Sequence, residues 1–188
     1  MNRNVSASVR RLGAVCLLLC LLSSLLCGCG EEAPDPSAFT STNFAAELRG
    51  RMTSPETGKV IELCVKAEVG TAGDARTLRV VYLAPDGLEG IEIEAICTVD
   101  GVLTDEATVR FGGIAVPTEA EQVSGLLLPV TSLFKPRALA SIRRTEDGWE
   151  ASYDDGARIL TDANGHPRAF FSPEISFDVV WFDARGVQ

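Results

Sequence analysis

Apolar and polar residues alternate with a period of two along most of the chain from Phe44 onward. The clearest stretches begin at Phe44, Ile61, Leu78, Ile91 and Ala107. Successive side chains of a strand point to opposite faces of a sheet, so this period predicts antiparallel strands with one buried face and one solvated face. The solvated face mixes Glu with Arg and Lys, which predicts cross-strand ion pairs.

Short dipeptides that favour tight turns separate these stretches: Asp86-Gly87, Asp100-Gly101, Asp147-Gly148, Asp155-Gly156 and Asn164-Gly165. They supply the positive φ values that hairpin turns require. Strands are therefore expected to continue to the end of the chain, giving nine or ten in all. In the last of them, four side chains are expected to share the buried face: Ile175, Phe177, Val179 and Trp181.

One segment has a helical period instead. Thr118–Glu121 matches a capping box, in which Thr and Glu satisfy each other's backbone amides. Apolar residues follow at helical spacing: Val123, Leu126, Leu127, Val130 and Leu133. Pro129 is expected to kink or split this helix near Leu128. The predicted fold class is α+β, a curved and mainly antiparallel sheet with a broken apolar helix packed on its apolar face.

The stretch Leu78–Ile91 is a strand that ends in Pro85, followed by Leu88-Glu89-Gly90 at the start of the next strand. With the broken helix at 119–134 and the late hairpins, it resembles the lipoprotein-localisation family and related clostridial spore-germination lipoproteins. The resemblance covers about residues 44–182. It implies an unclosed half-barrel with helices on its concave face. The long first helix of that family has little room before Phe44, and its receptor's protruding hydrophobic loop has no clear counterpart.

The N-terminal segment resembles the signal peptide of bacterial lipoproteins. Arg3, Arg10 and Arg11 precede an apolar run at 15–26, and Leu26-Cys27-Gly28-Cys29 follows it. The run is short for a transmembrane helix, which needs about 20 apolar residues. The resemblance implies that Cys29 receives a diacylglycerol group, with palmitate among its expected acyl chains, and becomes the first mature residue. Leu26 makes Cys27 a poorer acceptor.

The predicted organisation is a signal peptide at 1–28, a lipid-anchored flexible tether at 29–43 and a β-rich domain at 44–188. Three of the 17 Lys and Arg residues precede Cys29 and all 26 Asp and Glu residues follow it. The mature chain therefore has a net charge of 14 − 26 = −12. This charge argues against nucleic-acid binding and against electrostatic adhesion to anionic lipid. The membrane partner is expected to be held through the acyl chains, on the extracytoplasmic side of the cell membrane.

The helix carries the candidate ligand site, an apolar pocket between helix and sheet. Its predicted lining is Val123, Leu126, Leu127, Val130, Leu133 and Phe134. Two interpretations stay open at this point, since the same residues can form an ordinary filled core or line a cavity for a lipid or acyl chain.

No catalytic residues, metal or cofactor are predicted. His166 is the single histidine and stands in a turn before Pro167, without the partners that a nucleophilic site requires. Cys64 and Cys97 are expected to stay unpaired, because one strand separates them and they face opposite sides of the sheet. A hydrolase would need at least two members of one acidic set to converge: Asp105, Glu106, Asp154, Asp155 and Asp162.

The leading function hypothesis is a non-catalytic, membrane-anchored extracytoplasmic lipoprotein that binds a hydrophobic ligand or a cell-envelope protein. The first alternative is a protein-interaction or spore-germination accessory lipoprotein without a ligand cavity. A cell-envelope hydrolase that uses acidic residues is the second.

Changing Cys29 to Ser is expected to abolish lipid attachment. The variant should accumulate as an unprocessed precursor, or be secreted if cleavage shifts upstream. Metabolic labelling with a clickable fatty acid measures this directly. Equal labelling of the wild type and of Cys29→Ser, or no labelling of the wild type, would contradict the assignment of Cys29.

Overall fold

Eleven antiparallel strands form one continuous sheet in the computed structural model of the protein, which describes residues 33–36, 38–54 and 57–185. The first six strands are β1 (Asn43–Thr53), β2 (Val60–Ala72), β3 (Ala75–Ala84), β4 (Glu92–Thr98), β5 (Leu103–Phe111) and β6 (Ile114–Glu119). Helix α1 follows at Ala120–Phe134. The remaining strands are β7 (Leu139–Thr145), β8 (Gly148–Tyr153), β9 (Arg158–Thr161), β10 (Pro167–Phe171) and β11 (Ile175–Arg185). The predicted Cys29 anchor and signal peptide lie outside the described residues.

The strand order places the two ends of the domain together in the middle of the sheet. The order is β6-β5-β4-β3-β2-β1-β11-β10-β9-β8-β7, so β1 pairs with both β2 and β11. The edge strands are β6 and β7, and helix α1 connects them in sequence. The sheet is open and curved with this one helix packed on it, which confirms the predicted fold class.

Alternation assigns the faces of the sheet as the sequence predicted. Phe44, Leu48, Val65, Val80 and Ile93 are at most 3% exposed and face the core. On the opposite face, Arg79 donates to Glu92 at 2.9 Å and Arg110 donates to Glu94 at 2.8 Å. The predicted cross-strand ion pairs are therefore present.

Helix α1 begins without the predicted capping box. Thr118 and Glu119 belong to β6, and Glu119 makes no side-chain cap bond. The Thr118 hydroxyl instead donates to the side-chain oxygen of Gln122 at 2.9 Å. The helix also continues through Pro129, with no break near Leu128.

Trp181 is an exception to the predicted alternation. Glu47 pairs with Trp181 and Leu48 pairs with Val179, so Val180 is an extra residue that forms a β-bulge. A slip of one residue reverses the face of every side chain that follows. Trp181 is consequently 47% exposed, and Phe182 packs inward against Phe44 with ring centroids 5.5 Å apart.

The packed domain begins before Phe44. A 3-10 helix at Ala38–Ser41 lies inside the segment for which the sequence predicted a solvated tether. Its Phe39 is 5% exposed and packs edge-on against Phe44 and Phe182. This aromatic contact fixes the chain to the sheet several residues earlier than the alternation indicated.

The two cysteines of the sheet are free, as predicted. They lie on β2 and β4, which β3 separates. Cys97 belongs to the hydrophobic core, whereas Cys64 lies within 3.7 Å of the Glu47 carboxylate on the other face.

Replacing Gly125 with Ala is expected to stabilise the fold by about 0.5–1 kcal/mol, because Gly is a poor helix former. A Cβ at this position meets nothing within 4 Å. Chemical denaturation measures the change in the free energy of unfolding.

Gly50→Ala is the opposing control. A Cβ there would press on the Ser176 carbonyl and lie 2.6 Å from the Phe177 Cβ, so a loss of about 1–3 kcal/mol is expected. For Gly125→Ala, a measured loss of stability would contradict the open space found around Gly125 on α1.

Candidate functional site

The inner face of β3–β5 and the facing side of α1 form one apolar layer. On the sheet side Val80 and Ile93 are fully buried, and on the helix side Leu127 and Val130 are fully buried. Burial of a side chain of this size contributes about 1.5–3 kcal/mol. Apolar contact is thus the main attraction between helix and sheet.

Tyr82 adds one directional bond to this layer. Its side chain is 1% exposed, and its hydroxyl donates to the main-chain carbonyl of Leu126 at 2.7 Å. Burial raises the pKa of Tyr82, so the hydroxyl stays protonated and remains a donor at physiological pH. This bond joins β3 to the middle of α1.

Arg76 holds the C-terminal end of the helix. Its guanidinium carbon lies 4.5 Å from the centre of the Phe134 ring, and its Nε donates to the Val99 carbonyl at 3.5 Å. The residue is 7% exposed, and its buried Nη1 has no hydrogen-bond partner among the residues that the structure describes. Burial lowers the pKa of Arg76. The cation–π contact therefore compensates only part of the cost of burying this charge.

The structure places the predicted pocket residues within the core. Val123, Leu127, Val130, Leu133 and Phe134 are buried, and Leu126 is half-buried against them. The cavity between Leu133 and the sheet aromatics Phe44, Phe170 and Phe177 measures about 10 Å³. Such a space barely holds one water molecule. Of the predicted pocket residues only Leu133 lines it, and the close packing of the other helix residues against β3–β5 follows from their burial.

An open groove lies on the other side of α1. It has a volume of about 1090 Å³ and is bordered by the β4–β5 turn, the exposed side of the helix and the β10–β11 turn. We call it the helix groove. Its apolar residues are Leu103, Leu128 and Pro173, and its charged residues are Asp105, Glu119, Glu121 and Glu174.

The acidic residues considered for a hydrolase are spread over several elements. Asp105 lines the helix groove, whereas Asp155 forms an ion pair with Arg137 at 3.0 Å. Asp162 accepts hydrogen bonds from the amides of Asn164 and His166 in a turn. Burial by itself would raise the pKa of the Asp162 carboxyl. These hydrogen bonds and the nearby His166 lower the pKa by a larger amount, so it lies below its usual value.

Neither a metal centre nor a membrane-spanning helix is found among residues 33–36, 38–54 and 57–185. No group of three or more His, Cys, Asp or Glu side chains in these ranges has the arrangement to hold a metal ion. No helix in the same ranges combines the length and hydropathy needed to cross a bilayer.

Tyr82 and Arg76 were not selected from the sequence as site residues. Alternation places both on the apolar face with Leu78 and Val80. An Arg on a predicted apolar face is unusual and could have marked this position as a site residue from the sequence alone. Their partners lie on the helix and in the β4–β5 connection, 44 and 23 residues away. Local periodicity carries no information about these pairings.

No protein-family model matches the chain, and the search of curated proteins found no match. Among solved structures, the chain is similar to an uncharacterized conserved protein from Thermus thermophilus. The identity is 18% over 80% of this chain and 83% of the other, with a TM-score of 0.45.

A putative outer membrane lipoprotein-sorting protein domain from Vibrio parahaemolyticus aligns with 6% identity over 78% of this chain and 87% of its own, with a TM-score of 0.43. A LolA superfamily protein from Nitrosomonas europaea aligns with 12% identity over 84% and 91%, with a TM-score of 0.37. All three TM-scores are below 0.5, so these similarities do not by themselves assign a function to this chain.

Tyr82→Phe is expected to lower the free energy of unfolding by about 1 kcal/mol, because it removes the hydroxyl that bonds Leu126. The melting temperature should fall by about 2–4 °C. Tyr153→Phe is the matched control, since the Tyr153 hydroxyl makes no hydrogen bond within the described residues. Equal effects of the two substitutions would contradict a specific contribution of the Tyr82 bond.

Proposed function

We propose that the protein is a non-catalytic, lipid-anchored binding protein of the cell envelope. In this proposal residues 1–28 are a signal peptide and Cys29 carries a diacylglycerol group. A short connection leads from the anchor to the binding domain, which includes the 3-10 helix at Ala38–Ser41 as well as residues 44–188. The acyl chains supply the membrane affinity, because a mature charge of −12 is repelled by anionic lipid.

The proposed ligand is an acyl chain or a similar hydrophobic molecule, bound between α1 and the inner face of the sheet. The observation that carries this proposal is how the helix is attached. Among the described residues, one side-chain hydrogen bond from Tyr82 to Leu126, the cation–π contact of Arg76 with Phe134 and a set of apolar contacts join it to β3–β5. Moving α1 away would therefore break no hydrogen bond of the sheet and would expose a continuous apolar surface.

The free energy that holds α1 on the sheet is comparable to the free energy that an acyl chain gains when it leaves water. The five buried helix side chains of the predicted pocket contribute about 8–15 kcal/mol of burial, at about 1.5–3 kcal/mol each. An acyl chain with about 15 methylenes gains about 12 kcal/mol on leaving water, at about 0.8 kcal/mol per methylene. A ligand of that length can therefore compensate for the helix contacts that it replaces.

A second candidate function is docking of an envelope protein, favoured by the β5–β6 hairpin. Phe111, Ile114 and Val116 are 60%, 69% and 53% exposed around the Gly112-Gly113 turn. Large apolar side chains grouped at one tip are typical of interaction surfaces. This function needs no displacement of the helix.

Purified protein lacking residues 1–29 is expected to carry lipid that mass spectrometry detects, and to bind a lipophilic fluorescent dye. Tyr82→Phe should bind the dye about fivefold more tightly, because about 1 kcal/mol less is needed to separate the helix. Tyr153→Phe should bind like the wild type.

Absence of both co-purified lipid and dye binding would contradict the ligand proposal and favour the protein-docking function. Equal dye affinity in the wild type and both Tyr variants would show that the helix does not move when the dye binds.

A further inference from the structure

The helix groove lies on the solvent side of α1, away from the proposed acyl site. Leu103, Leu128 and Pro173 give it apolar contact surface. Its volume of about 1090 Å³ slightly exceeds the range of about 300–1,000 Å³ that is typical of small-molecule sites. The groove can therefore take a segment of several residues.

The charges of the groove have one sign. Asp105, Glu119, Glu121 and Glu174 line it, and no Lys or Arg of the described part of the chain does. None of these four carboxylates forms an ion pair with another part of the described structure. On the outer face of the sheet, by contrast, Arg79 and Arg110 neutralise Glu92 and Glu94.

The register of β5 and β6 places a fifth acidic residue, Glu106, beside the groove. Glu106 stands directly opposite Glu119, and like charges in this position repel each other. The positive end of the helix dipole offers partial compensation to Glu119 and Glu121. Glu174 is not part of the helix but belongs to the β10–β11 turn.

The backbone of α1 is accessible from the groove. Gly125 lines it, and a Cβ at Gly125 would meet no atom within 4 Å. The Gly125 carbonyl also lacks the usual helical donor, because residue 129 is proline and has no N–H. A partner can thus approach the helix closely at Gly125, whose carbonyl is left without its helical donor.

We propose that the helix groove binds a cationic amphipathic segment of a partner protein, in which Lys or Arg residues flank an aliphatic side chain. The cations would pair with the four carboxylates, and the aliphatic side chain would contact Leu103, Leu128 and Pro173. A second copy of this chain is a poor occupant, since each mature copy has a charge of −12. The chain's own N-terminal segment carries Glu31 and Glu32, which the groove would repel.

The test uses the full-length protein in nanodiscs of neutral phosphatidylcholine, with empty nanodiscs as the blank. The probe is a fluorescein-labelled nonapeptide of alternating Lys and Leu, and fluorescence anisotropy gives its Kd. Two comparison ligands separate the contributions: a peptide with Ser in place of Leu, and spermine.

The double variant Glu121→Gln/Glu174→Gln is expected to weaken binding of the Lys-Leu peptide at least tenfold. The double variant Glu62→Gln/Asp74→Asn removes the same charge from positions outside the groove and should leave the Kd within twofold. Gly125→Phe should abolish binding by filling the groove, while circular dichroism remains that of the wild type.

Three results would overturn the proposal. Equal weakening by the two double variants would show attraction to the net charge alone. Unchanged affinity of Gly125→Phe would place the peptide elsewhere. Spermine or the Lys-Ser peptide binding as tightly as the Lys-Leu peptide would show a site for cations without apolar recognition.

Discussion

The pairing of β1 with β11 determines the arrangement of the whole domain. Because the first and last strands meet in the middle of the sheet, the strands on either side fold outward as two meanders. The edges, β6 and β7, are consecutive in sequence except for α1. A connection between opposite edges of a curved sheet must cross one face, and the apolar side of α1 selects the inner one. The same crossing gives α1 two different sides, a buried one against β3–β5 and an exposed one along the helix groove.

The attachment of α1 combines large apolar burial with few directional bonds. Fully buried Leu127 and Val130 supply non-directional attraction, and Tyr82 supplies one hydrogen bond at the middle of the helix. Apolar contacts can be exchanged for contacts with another apolar molecule of similar size at a small net free energy. Sheet hydrogen bonds cannot be exchanged in this way, so in the proposed binding mode the ligand displaces α1 and leaves the strands in place.

Much of the fold could be predicted from the sequence, because strand alternation and the turn glycines are local signals. They identified the inner face from Phe44 to Cys97 and the apolar side of the helix, whereas Val99, which continues the same alternation, lies beyond β4 and is exposed. Trp181 was assigned to the wrong face, because the bulge at Val180 depends on pairing with a strand more than 130 residues earlier. The capping box failed because Thr118 and Glu119 pair with β5 instead. Tyr82 and Arg76 were missed because their partners are distant in sequence, and the acidic groove exists only after three separate segments meet.

Photochemical labelling by a fatty acid tests most directly whether the inner face is the ligand site. A palmitate analogue with a diazirine near its methyl end is bound to the protein, irradiated, and the modified residues are identified by mass spectrometry. We predict modification of inner-face residues of β3–β5, such as Val80 and Ile93, together with Leu127 or Val130 of α1. Labelling confined to the exposed hairpin residues Phe111 and Ile114, or no labelling, would contradict a ligand site beneath the helix.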